Sequence, residues 1–285
     1  MPCRAPASIG SSRPSDAGLR GVARRTRTID APHEREEESY FVSLNDLLIG
    51  MLFVFIILLM IFALNYQSAE ARLNHRIAAL EDELGGREDQ RAGLLRRLKK
   101  ELARSDVPVE IDEKNGVLHL PETVLFASGS ADLGDRGRAA LTRLASLLAR
   151  ELPCYGQLGG RAGHDCPDGS EPILEAVYVE GHTDVIPIAT ARYSDNWSLS
   201  SDRSIQTYRS MVQAAPSLEG IRNAAGNATL FGVSAYAAQR PIADNATVDG
   251  RARNRRIDVR FLIAPPTKGD IKATSSVGSF LGAVE

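Results

Sequence analysis

Eighteen uncharged residues in a row, Leu47–Leu64 (LLIGMLFVFIILLMIFAL), divide the chain into two unequal parts. At ~1.5 Å per residue, a helix of that run spans roughly 27 Å, close to the hydrocarbon thickness of a bilayer. Beyond it the apolar positions become periodic. Leu73, Ile77, Leu80 and Leu84 follow a 4-3-4 spacing, and Leu94 and Leu98 resume the frame. That seam predicts a helix which either pairs with a second copy or serves as a solvated spacer. Gly85-Gly86 interrupts it, and Arg87 and Arg91 fall on seam positions. From Val107 the periods shorten. Val117–Leu120 reads as a strand, and Leu141, Leu144, Ala145, Leu148 and Leu152 mark one face of a helix. The Gly/Pro-rich stretch 153–172 reads as a loop, Ile173–Val179 as a strand, Ser198–Val212 as a helix and Leu230–Tyr236 as a strand. In the last strand Ile257, Val259, Phe261 and Ile263 alternate with Arg256, Asp258 and Arg260, which predicts one buried and one wet face. The order β-α-β-α-β-β predicts an α+β domain, a mixed sheet with helices packed on one face.

These patterns divide the chain into a disordered tail (1–40), a transmembrane helix (41–65), a helical or coiled-coil linker (66–106), a globular domain (107–264) and a loose C-terminal tail (265–285). Tyr40 and Phe41 suit a membrane interface. A cleavable leader is the competing reading of the apolar run, with Ala69 and Ala71 imitating a cleavage site. Some 46 residues precede the run, however, and it exceeds the usual apolar core of a leader, which favours a retained anchor. Arginines before the span outnumber those just after it. The positive-inside rule, which ignores acids, therefore places the N-terminus in the cytoplasm, by a small margin.

Composition narrows the function. A net charge of −2, a pI near 6.3 and 6% aromatic residues argue against a nucleic-acid binder, which needs a basic face and stacking platforms. The five histidines do not cluster at metal-ligand spacing, and no cofactor is expected. Cys154 and Cys166 enclose eleven residues. Bridged, they add about 3 kcal/mol on the chain-entropy model. The alternative is a metal site with His164, Asp165 or Asp168, although the spacing fits no common zinc pattern. At the mouth of the span stands Asp46. A carboxylate at mid-membrane costs about 2.5–3.5 kcal/mol, so a group kept near there is a candidate for carrying an ion. Position alone leaves a second role open, with Asn45 and Asp46 capping the helix at the headgroup level.

Three stretches of the globular domain belong together: Glu180-Gly181-His182-Thr183-Asp184, Asn196-Trp197-Ser198-Leu199-Ser200-Ser201-Asp202-Arg203, and Arg251-Ala252-Arg253-Asn254-Arg255-Arg256. In these the chain resembles the OmpA-like peptidoglycan-binding domain family, over roughly residues 115–263. The resemblance implies that Asp184 and Arg203 hold the diaminopimelate of a peptidoglycan stem peptide, and that Asn196, Leu199 and Arg256 shape the pocket. One acid and one planar guanidinium answer the ammonium and carboxylate of that side chain. Relative to the family, Val185–Asp195 is an insertion between the acid and the arginine. His182 and Asp184 would also suit an acid–base pair, but the family uses this segment for binding, and no enzyme activity is expected.

A tail, a single span with an acid at its start, a helical linker and an OmpA-like domain form the layout of MotB-type stator subunits. The stretch Tyr40–Ile56, the cysteine loop and the DNWSLS segment resemble more narrowly the ZorB-type subunits of the Zorya anti-phage defence system. The resemblance implies a homodimer inside a ring of a MotA-like or ZorA-like membrane partner. It also implies Asp46 as the ion-carrying residue, an inner-membrane location and a periplasmic C-terminal domain. Two other readings stay open: a passive peptidoglycan tether and a flagellar stator subunit.

Overall fold

The computed structural model describes residues 34–158 and 166–267. It forms two compact units, divided after Ser68. The expected tails, 1–40 and 265–285, lie almost wholly outside the described residues.

Helix α1 runs Glu34–Arg104. In the first unit every large apolar side chain from Leu47 to Leu64 is exposed. So continuous an apolar surface is stable only where lipid or another chain covers it. A helix suits lipid because it satisfies its own backbone groups. Among the described residues this is the one helix long and apolar enough to cross a membrane. Its start bears on Asp46. The helix begins twelve residues earlier, at Glu34, so Asp46 stands about three turns inside it and is not a capping residue.

The second unit is α+β. After α1 come β1 (Glu110–Asp112), β2 (Val117–Pro121), α2 (Glu122–Leu125), α3 (Asp135–Glu151), β3 (Leu174–His182), α4 (Asn196–Ala214), β4 (Phe231–Ala237), α5 (Val248–Asn254) and β5 (Arg256–Ile263). The sheet order is β1-β2-β5-β3-β4, with β3 and β4 parallel and the other pairs antiparallel. The chain order differs from the expected one by a short first strand, β1, and by α5 between the last two strands, and in space β5 inserts between β2 and β3. The apolar face of α3 lies fully buried, as its spacing predicts, and joins Val177, Val179, Val259 and Phe261 in one core.

The end of α1 belongs to that core as well. Leu94, Leu95, Leu98 and Leu102 are almost completely buried in it. The second half of the leucine seam therefore packs on its own chain, and the compact unit begins at Ala69, well before Val107. The seam arginines explain the choice. Arg87 donates to the Ala264 carbonyl and Arg91 to the Lys114 carbonyl, each at 2.9 Å. Arg96 pairs with Glu113 at 2.6 Å, and Arg97 reaches Glu151 and the Tyr155 hydroxyl. A guanidinium on an apolar stem can line a helix–domain contact while its head meets carbonyls and acids. Gly116, at φ +68°, makes room, since a Cβ there would lie 2.7 Å from Arg91 Cδ and from the Phe261 carbonyl oxygen. Leu73, Ile77 and Leu84 remain exposed.

The second face of β5 is not wet. Arg256 and Asp258 are buried and Arg260 partly so, because β5 lies inside the sheet and their charges pair across it. Asp258 lies 2.6 Å from His119 on β2 and 3.2 Å from His182 on β3. Arg260 pairs with Glu180 at 2.9 Å, and Arg256 with Asp258 at 3.0 Å.

Candidate functional site

The three motifs converge where β3 leaves the sheet. The β3–β4 register shifts between Gly181 and His182, and the strand ends there. The end of the strand separates two residues that looked like a pair, since His182 is its last residue and Asp184 lies beyond it. His182 turns into the buried network around Asp258, with its ring stacked on Tyr236 at 5.4 Å between centroids. Asp184 lines a cleft of about 370 Å³. Gly181 sets the floor, because a Cβ there would fall 2.1 Å from the Ser200 carbonyl oxygen. Only a glycine lets α4 lie this close and bring its side chains to the cleft.

Helix α4 starts with a capping box. The Asp195 carboxylate accepts from the Ser198 amide at 2.8 Å, and the Ser198 hydroxyl accepts from the Asp195 amide at 3.2 Å. The helix therefore opens at Asn196, not Ser198. Asn196 staples the inserted loop to the site. Its amide donates to the carbonyls of Asp184 (3.1 Å) and Ile186 (3.0 Å), and its oxygen accepts from the Ile188 amide (3.2 Å). Leu199 is buried beside it and lines the cleft with Arg203.

Asp184 and Arg203 share the cleft but are not paired with each other. Arg203 is 1% exposed. It donates to Glu122 Oε1 at 2.6 Å and to the Ser130 carbonyl at 2.8 Å, with Phe126 beneath it at 5.4 Å. Asp184 accepts from the Ile186 amide at 3.0 Å and pairs with Arg255 at 2.6 Å. Arg255 also pairs with Glu122 at 2.9 Å. The floor is thus a chain of alternating charge: Arg203, Glu122, Arg255, Asp184. Glu122 and Arg255 were not singled out from the sequence. Glu122 lies far from the motifs along the chain, with no spacing that points to it. Arg255 stands inside the third motif, where the resemblance drew attention to its neighbour.

That neighbour is elsewhere. Arg256 is buried and faces a separate cavity of about 200 Å³ with His119 and Ile242. The two arginines straddle the start of β5, where successive side chains point to opposite sides. Of the two, Arg255 lines the cleft and Arg256 pairs with Asp258.

Glu180, His182 and Asp258 bring possible metal-ligand atoms within 4.8 Å of one another. Arg260 and Arg256 already pair with the two carboxylates, so the charges balance without a cation. Burial lowers the His182 pKa and keeps the ring neutral. Burial opposes ionisation of Asp258 too, but His119, His182 and the Arg256 charge outweigh it and hold its carboxyl well below the usual range. Cys154 and Cys166 are bonded, with Cα atoms 5.5 Å apart. His164 and Asp165 lie outside the described residues.

No protein-family model matches the chain. It is 28% identical over 178 residues to the uncharacterized protein YtxE of Bacillus subtilis, covering 60% of each chain. It is 31% identical over 86 residues to motility protein B of the same organism, covering 30% of each. The chain thus spans less than two thirds of the length of either relative. Among solved structures, the cell wall anchor of the T6SS from Pseudomonas aeruginosa is 27% identical, with a TM-score of 0.42, covering 60% of this chain and 97% of that one. Over that 86-residue stretch the chain is similar to a motility protein B.

Proposed function

We propose that the chain is a single-span inner-membrane protein whose periplasmic domain grips peptidoglycan, serving as the stator-like subunit of an ion-driven motor in anti-phage defence. The observation that carries the reading is the cleft, where Asp184 and the guanidinium groups of Arg203 and Arg255 line one space. A diaminopimelate side chain ends in an ammonium and a carboxylate. Asp184 answers the first, and the arginines answer the second. Asn196 fixes the backbone that carries Asp184, and Leu199 walls the floor.

In the span, Asp46 is the ion-carrying residue. Set against a MotA-like or ZorA-like ring, it meets a low-dielectric groove that disfavours its charge and brings protonation within reach. One charge crossing 100 mV is worth about 2.3 kcal/mol, enough to bias a step between two packings. Gly50, one turn on, carries no side chain and so allows a partner helix to approach closely. The wall tether prevents the subunit from turning with its partner. Two copies supply two grips.

Two experiments test this. Asp184→Ala with Arg203→Ala should abolish binding of the full chain to isolated peptidoglycan. Retention rules out the cleft. Asp46→Asn, expressed with the genomic neighbours, should abolish phage protection while membrane insertion and wall binding persist. Unchanged protection leaves a passive tether, and restored swimming in a stator-deleted strain would point to a flagellar role.

A further inference from the structure

The inserted loop does more than lengthen the path from Asp184 to Arg203. It is tied down at several points. Arg192 pairs with Asp132 at 2.8 Å and Asp202 at 2.9 Å. The Tyr193 hydroxyl donates to Asp202 at 2.8 Å. Ile188 packs against the small cluster of Ala131, Tyr193 and Leu199. A loop anchored this way presents its remaining side chains in fixed places. Ile186 lines the cleft yet is 57% exposed, and across the opening Val248, on α5, is 71% exposed. Single exposed apolar residues are ordinary. Two of them lining one charged cleft form an apolar lip above an ionic floor. The lip is fixed to the floor by the Ile186 amide on the Asp184 carboxylate and by Asn196, whose amide donates to the carbonyls of both residues.

We infer that Ile186 and Val248 are specificity-determining residues that take the apolar groups of the stem next to the zwitterionic side chain, the methyl of the adjoining D-alanine among them, so that the cleft prefers an alanine-bearing stem peptide to the free diamino acid. The inference rests on the stem-peptide reading of the cleft. The floor supplies the charge complementarity, since an acid and guanidiniums in one space suit a side chain bearing both signs. The lip supplies an apolar contact that a free amino acid cannot use. A methylene-sized group removed from water is worth a factor of about four in affinity. Two such contacts multiply to about sixteenfold when both are fully buried, and a preference of about tenfold allows for partial burial at an open lip.

The test uses the full chain in detergent micelles and two probes, free meso-diaminopimelate and the tetrapeptide L-Ala–D-Glu–meso-diaminopimelate–D-Ala, with titration followed by calorimetry. The wild type should bind the tetrapeptide about tenfold more tightly. In Ile186→Ser with Val248→Ser, the ratio of the two affinities should fall towards one. A wild type that binds both probes equally, or a double variant that keeps the ratio, overturns the inference. Val248→Ser alone guards against misfolding, because the side chain is largely exposed, and it should lower the ratio by several-fold. If it does not, the lip is refuted. Binding of neither probe by the wild type overturns the stem-peptide reading and the lip with it. Binding of both probes without preference refutes the lip alone.

Discussion

Replacing Leu98 by alanine tests whether the end of α1 is part of the domain. Leu98 is 1% exposed and sits among Leu94, Leu102, Leu118 and Leu144 in the core. Truncation removes three carbons from a packed site. Buried leucines lose about 2–5 kcal/mol on such a change, from lost transfer energy and the cavity left behind. With a urea m-value of about 2 kcal/mol/M, the unfolding midpoint should drop by about 1–2.5 M. Ile77 is the control. It lies on the same seam but is 44% exposed, and Ile77→Ala should stay within about 0.5 kcal/mol. The single tryptophan, Trp197, lies in the first turn of α4, so its fluorescence reports unfolding of the domain alone. The assay is urea titration at two protein concentrations tenfold apart. A Leu98→Ala midpoint within 0.3 M of wild type would refute the packing argument. So would equal losses at Leu98 and Ile77 that vary with concentration, because a seam between two copies behaves that way.

Arg203→Ala should destabilise the domain by about 3–5 kcal/mol, since it leaves Glu122 buried with one partner fewer. Arg255→Ala should cost less stability, because its side chain is 30% exposed, yet should still weaken peptidoglycan binding; equal stability losses in urea melts would contradict this ranking. Burial, aided by the Arg256 charge, outweighs the pull of Asp258 and Glu180 and lowers the His182 pKa, so the unfolded chain takes up that proton first. Stability should therefore fall as pH drops below about 6.5, and His182→Gln should flatten that slope between about pH 6.5 and 5.5. A wild-type midpoint constant over that range would refute it. Reducing the Cys154–Cys166 bond should cost about 3 kcal/mol, seen as a lower melting temperature with dithiothreitol in the wild type but not in a Cys154→Ser, Cys166→Ser chain.

The elements set by local periodicity were legible in the residues themselves. The apolar run needs no tertiary partner to declare itself, because its length matches a solvent, not a neighbour. The face of α3 and the apolar side of β5 follow from periods of 3.6 and 2, which local geometry imposes. The motif residues Asp184, Arg203, Asn196 and Leu199 were also picked out, and the fold brings all four to one cleft.

What the sequence left open depended on which surfaces met. The leucine seam is the same pattern whether it covers a second helix or the chain's own sheet. The contacts of Arg87 and Arg91 with distant carbonyls decided for the sheet. The alternating charges of β5 look like a wet face until β2 and β3 flank the strand and supply counter-charges. Arg255 and Arg256 are neighbours of identical type, and only the turn into β5 sends one to the cleft and the other to Asp258. Glu122, which links the two cleft arginines, lies about eighty residues before the first of them and carries no local signal. Side-chain periodicity is a property of the backbone and can be read along the chain, whereas ion pairs between distant segments exist only once folding has removed water and set the distances.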